Sequence, residues 1–164
     1  MTITLPSSLT GLMSQIGYEF PTADEDKIAE LGTAWTDLAG KLAPYAQQAS
    51  DTASSVWGTN HGKDIDAFKT WWEAEDSPQK SLQEAITGAK VAGQALQTCA
   101  LIVIGLKLYI IAELTSAAAA IAAAIAVAIE TGGLGALAIL GIKKVLKEAV
   151  GWAIEQAVMK VLEG

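Results

Sequence analysis

From Ile28 onward, apolar side chains return every three or four residues: Ile28, Leu31, Trp35, Leu38, Leu42, Tyr45, Ala49 and Val56, with Thr52 the one polar residue on the row. On a helix of about 3.6 residues per turn this spacing gathers them into one stripe, the pattern of a helix that lies lengthwise against another. Pro44 falls inside the run and is expected to bend it, because its ring removes a backbone donor and crowds the turn before it. Upstream, Thr22 or Asp24 is placed to start this helix, and Asp24, Glu25 and Asp26 complement its N-terminal dipole. Phe20-Pro21 separates it from a short first helix, which Ser7 or Ser8 is expected to cap and Gly17 to end near Ile16.

Gly58-Thr59-Asn60-His61-Gly62 is the first strong turn signal, and Ile65, Phe68, Trp71 and Trp72 form the apolar side of a third helix after it. That helix closes at Glu75-Asp76-Ser77-Pro78, where Asp76 or Ser77 caps and Pro78 takes the first position of a fourth. No further breaker occurs before Thr131-Gly132-Gly133. Some fifty helical residues make a rod on the order of 75 Å at the standard rise. Residues 134–163 read as helix again, ending in an amphipathic stretch with Val145, Val150, Trp152, Ile154, Val158 and Leu162 opposite lysines and glutamates. No segment alternates as a strand would. The expected fold is all-α: long antiparallel helical hairpins in an elongated four- to five-helix bundle, with an acidic hairpin region at 1–77 and an apolar region at 78–164 forming one structural unit.

The fourth helix is apolar on nearly every side between Cys99 and Ala112, and alanine-rich from Ala117 to Ile129. Leu101, Ile104, Ile110, Leu114, Ile121 and Ile125 are its principal apolar positions, with Gly132 and Gly133 turning the chain back as a hairpin. Burial inside a bundle is the favoured reading, since alanine lets neighbouring helices approach closely. A second reading is conditional insertion of the 100–154 hairpin into a membrane as a pore or translocation path. Lys107 and Glu113 oppose a stable span, because each charge is costly at mid-bilayer. A third is an exposed face that a partner helix covers.

Charge sharpens the division. The chain has 164 residues, 18 acids, 11 lysines and no arginine, for a net charge of −7. Residues 1–98 hold 13 acids and 6 lysines, whereas 99–164 hold 5 of each. The acidity therefore solvates one half, and the neutral half has the burial problem. An acidic chain without arginine lacks the electrostatic footprint for nucleic acid. One cysteine and one histidine exclude a disulfide framework and any Cys- or His-rich metal site. His61 sits near Asp64 and Asp66 where acids serve a helix start, and Cys99 lies on an apolar helix without an activating base. Neither a phosphate-cradling glycine loop nor a nucleophile elbow is present. No cofactor, metal, small-molecule substrate or enzymatic activity is expected. The N-terminus lacks the basic start and apolar run of a secretory signal peptide, so synthesis in the cytoplasm, followed by export or envelope association through a route independent of such a signal, is expected.

Phe20-Pro21-Thr22-Ala23-Asp24-Glu25-Asp26, then Ala34-Trp35, then Gly62 with Ala67-Phe68 and Trp71 or Trp72, resembles the N-terminal helical domain of actinobacterial polymorphic toxins, including necrotizing-toxin channel proteins. Those domains are related to the small Trp-x-Gly helical-hairpin proteins exported by type VII secretion. The likeness extends through Lys107 and Leu114 into the Ala-Ile tail and covers about 20–140. Asn60-His61-Gly62 has asparagine where the family has tryptophan, with Trp57 three residues earlier, and Phe20 replaces an aromatic that is usually tryptophan. The resemblance implies a non-enzymatic module that exports or delivers a toxin and assembles, helix on helix, with itself or with small helical partners. It makes Ile28, Leu31, Trp35, Leu38, Leu42 and Tyr45 the partner-facing seam, Trp57, Asn60 and Gly62 the turn, and Tyr109 with Glu113 a weak copy of the Tyr-x-x-x-Asp/Glu export signal. An oligomeric structural protein is the plainer alternative.

Overall fold

Helix boundaries follow from local chemistry. In the computed structural model, which describes residues 2–131 and 135–163, the order is α1 (Ser7–Gln15), α2 (Glu25–Thr59), α3 (Lys63–Trp72), α4 (Pro78–Thr131) and α5 (Gly135–Glu163). Asp24 Oδ1 accepts the Lys27 backbone N–H at 3.1 Å and so starts α2. Ser77 Oγ accepts from the Lys80 N–H at 3.2 Å, and Pro78, which has no N–H to satisfy, follows it into α4. Gly17 ends the first segment at φ 81°, a conformation that suits glycine. The capping of α1 differs from expectation: the chain turns one residue earlier, at Pro6, whose carbonyl accepts the Leu9 N–H at 2.9 Å, and no side chain caps the helix. α2 runs on through Pro44.

Helices account for 86% of the described residues and no strand occurs among them, so the fold is an all-α helical bundle. Gly132 and Gly133, expected to turn the apolar hairpin, lie outside the described residues.

The chain forms two compact units, one from residues 1–27 and 98–164 and the other from 28–97. In the second unit, α2 turns Gly32, Ala39, Ala46 and Ala53 inward at seven-residue intervals, and α4 answers with Ile86, Ala89 and Gly93. The contact is closest at the glycines: a methyl group on Gly32 would stand 2.8 Å from the Gly93 carbonyl oxygen, and one on Gly93 would stand 2.7 Å from the Gly32 oxygen. No residue of α3 is fully buried. Its Phe68 instead meets Trp57 at 5.8 Å and Trp71 and Trp72 at 6.0 Å between ring centroids, an aromatic cluster at the α2–α3 turn.

The core of the first unit joins α1, α4 and α5. Leu9, Met13 and Ile16 pack with Ile110, Leu114, Ala117, Leu146 and Val150. The nine residues of α1 are too few for a helix to persist alone, so this packing holds it. Near the described start of α5, Gly135 lies directly against Ala124 and Ala128 of α4, a backbone approach that only small residues permit.

Candidate functional site

The stripe on α2 and the face on which α2 packs overlap only in part. Gly32, Ala39 and Ala46 each follow a stripe residue by one position, about 100° around the helix. With the small residues inward, the larger ones are left on the flank: Leu31 is 54% exposed, Trp35 42%, Leu38 43% and Tyr45 68%. Leu42 is half-buried against the Ala39, Ala46, Ile86 and Ala89 cluster, and Ile28 is half-buried too. Of the turn residues, Trp57 is half-buried on Phe68 while Asn60 and Gly62 are exposed. Asn60 bonds the Val56 carbonyl through both its backbone N–H, at 3.0 Å, and its side-chain amide, at 2.8 Å. Gly62, at φ 143°, precedes α3.

On α4 the candidate residues divide. Ile110 and Leu114 are fully buried, Ile104 and Ile121 are half-buried, and Leu101 and Ile125 face outward. Tyr109 and Glu113 are one turn apart on the same helix, with Tyr109 also against Trp152 at 6.5 Å. Burial, and then the Glu113 carboxylate, push the Tyr109 hydroxyl above its ordinary pKa.

Lys107 is the least exposed charged side chain among the described residues. It is buried in the apolar stretch of α4, and its Nζ donates to Glu25 Oε2 and to the Ala23 carbonyl, each at 2.6 Å. The Phe20 ring lies 5.9 Å from the same nitrogen. Glu25, 2% exposed, accepts the Ile3 backbone N–H at its other oxygen. That N–H first, and Lys107 second, hold the Glu25 carboxyl below the usual carboxylate range. Thr2 donates to Asp24 Oδ1 at 2.9 Å, and the Lys27 N–H and Thr2 hydroxyl hold Asp24 low as well. Residues 2–26 are thus strapped to α4 around one buried charge pair.

A sequence profile of the WXG100 like domain matches residues 4–163. The chain belongs to the WXG100-like family. Membership covers nearly all of the described helices, including α1 and α5. None of the curated proteins and none of the solved structures matches the chain.

Among the described residues no group of His, Cys, Asp and Glu is arranged to hold a metal ion. Two elements of this geometry escape a reading by hydrophobic size. The alanine and glycine row of α2 carries a strict seven-residue period that larger neighbours conceal. Lys107, the one charge between Cys99 and Ala112, signals a buried carboxylate partner, because an unpaired ammonium in that setting would be costly.

Proposed function

We propose that this WXG100-like chain is a non-enzymatic delivery or export module of a type VII secretion-related toxin system, acting by helix-on-helix assembly with itself or a small helical partner. The observation that carries the reading is the outward row Leu31, Trp35, Leu38 and Tyr45 on a helix whose closest packing against α4 uses glycine and alanine. An apolar row of helical period beside a closed face is the form in which a helix receives another. Family membership supports the type VII association, and the polymorphic-toxin role rests on the motif resemblance. The assembly reading is tested by analytical ultracentrifugation of the chain alone and with candidate small helical proteins. Leu31→Lys with Leu38→Lys should leave the helix content unchanged and weaken association at least tenfold. Association untouched by both charges would remove this surface from the mechanism.

A second reading, membrane insertion of the 100–154 hairpin, is favoured by one observation. The long apolar helix 78–129 contains a window of mean hydropathy 2.1 of which only 17% is buried. Flotation with liposomes and dye leakage, at neutral and acid pH, decide it; no association in either condition removes it.

A further inference from the structure

Between α4 and α5 runs an apolar groove of about 370 Å³, lined along its length by Leu101, Gly105, Leu106 and Trp152. Its two ends differ. One is formed by Gln156 and Lys160, and the other by the Tyr109 and Trp152 rings. Lys160 makes no ion pair among the described residues. The stretch that lines the groove, residues 98–160, has 4 acids and 5 lysines, within a compact unit that has 9 acids and 6 lysines.

Gly105 lines this groove and, like Gly11, Gly40, Gly58, Gly88 and Gly141, stands in open space on its helix. Glycine in a helix interior costs roughly 0.5–1 kcal/mol relative to alanine. At Gly32, Gly93 and Gly135 the neighbouring backbone leaves no room for a side chain, whereas a methyl group on Gly105 would meet nothing within 4 Å. Packing within the chain therefore does not require glycine at 105. Its missing side chain leaves open space along the groove.

We propose that this groove binds a single-chain anionic amphiphile, a medium-length fatty acid being the simplest, with its carboxylate at Lys160 and Gln156 and its tail running over Gly105 to Trp152. From Lys160 to Trp152 is eight residues of α5, about 12 Å at the helical rise, which suits a chain of that class. The volume lies at the low end of the range of small-ligand sites, and an open apolar trough with polar groups at one end suits an amphiphile lying along the surface. A partner helix is disfavoured because it would cover both helix crests and gain nothing from a cation confined to one end.

The test is calorimetric titration of the full chain with laurate below its micellar concentration, alongside dodecyltrimethylammonium, which has the same tail and the opposite charge. Saturable one-to-one binding of laurate is expected, at least tenfold tighter than the cation. Lys160→Glu should reverse that preference, and Gly105→Leu, which fills the floor, should abolish binding while circular dichroism stays helical. If Gly105→Leu does not fold, the charge comparison and Lys160→Glu decide alone. Absence of saturable binding, no preference between the two head groups, binding unaffected by a folded Gly105→Leu, or association only with phosphatidylglycerol vesicles and not with monomeric laurate would each overturn the proposal. So would loss of laurate binding on addition of a helical partner that is itself retained by Gly105→Leu, because the groove would then belong to a protein interface.

Discussion

Lys107 shows how one side chain can set the conditions under which a segment stays docked. Its charge is buried only because Glu25, the Ala23 carbonyl and the Phe20 ring come to it from the N-terminal segment. Removing one partner strands the other, whereas replacing both with apolar groups of similar shape is often neutral or better. Glu25→Gln is therefore expected to destabilise the chain more than Lys107→Met, and the double variant should recover part of the loss, a coupling readable from a denaturation double-mutant cycle. Acid should act the same way. Because the folded Glu25 pKa lies below its unfolded value, its contribution is complete above the unfolded value and disappears as pH falls through the lowered one. Hydrogen exchange of residues 2–26 should accelerate in that acid window ahead of the rest of the core, and a uniform response across α1, α4 and α5 would contradict this. The glycines supply a second contrast at the same scale. Gly93→Ala forces apart two backbones and should cost about 1–3 kcal/mol. Gly105→Ala meets nothing and should stabilise by roughly 0.5–1 kcal/mol. Chemical denaturation of both variants checks the pair.

Among the elements, the long helices were legible and their orientation was not. Asp24, the Ser77-Pro78 pair and the absence of breakers up to Thr131 mark the limits of α2 and α4 to within a residue or so, because caps and breakers act locally. The face on which α2 closes was hidden for a physical reason. Hydrophobic periodicity finds the largest side chains, while close-packed helices select the smallest, so the signal points to the flank holding Leu31, Leu38 and Tyr45 and not to Gly32, Ala39 and Ala46. The partner of Lys107 was equally hidden, lying 82 residues away in sequence. In the candidate groove, Leu101 stood out as apolar, but Gly105 and Lys160 acquire meaning only when α4 and α5 are side by side. Large-to-small substitution should separate the two kinds of apolar residue. Ile110→Ala, in the core, should cost about 2–5 kcal/mol. Leu38→Ala, on the half-exposed row, should change monomer stability by far less and register instead in association. Equal losses of monomer stability for both would mean that the row is structural.

For the whole molecule, the charge does not divide where the packing does: the first compact unit, which includes the acidic residues 1–27, holds 9 acids and 6 lysines, and the second holds 9 acids and 5 lysines. If assembly covers the α2 row, the melting temperature should rise with protein concentration, since association stabilises by mass action. A concentration-independent melt across two decades would instead describe a monomer. The aromatic cluster at the α2–α3 turn adds a practical consequence. Trp57, Trp71 and Trp72 share one neighbourhood around Phe68 and belong, with Trp35, to the unit of residues 28–97, while Trp152 is the single indole of the other. Electronically coupled rings give the second unit a far-ultraviolet circular dichroism couplet that a lone indole cannot produce. In Trp152→Phe all remaining indole emission reports on one unit, and subtracting its melt from that of the native chain isolates the other. The placement of five tryptophans thus turns the protein into its own two-channel optical thermometer.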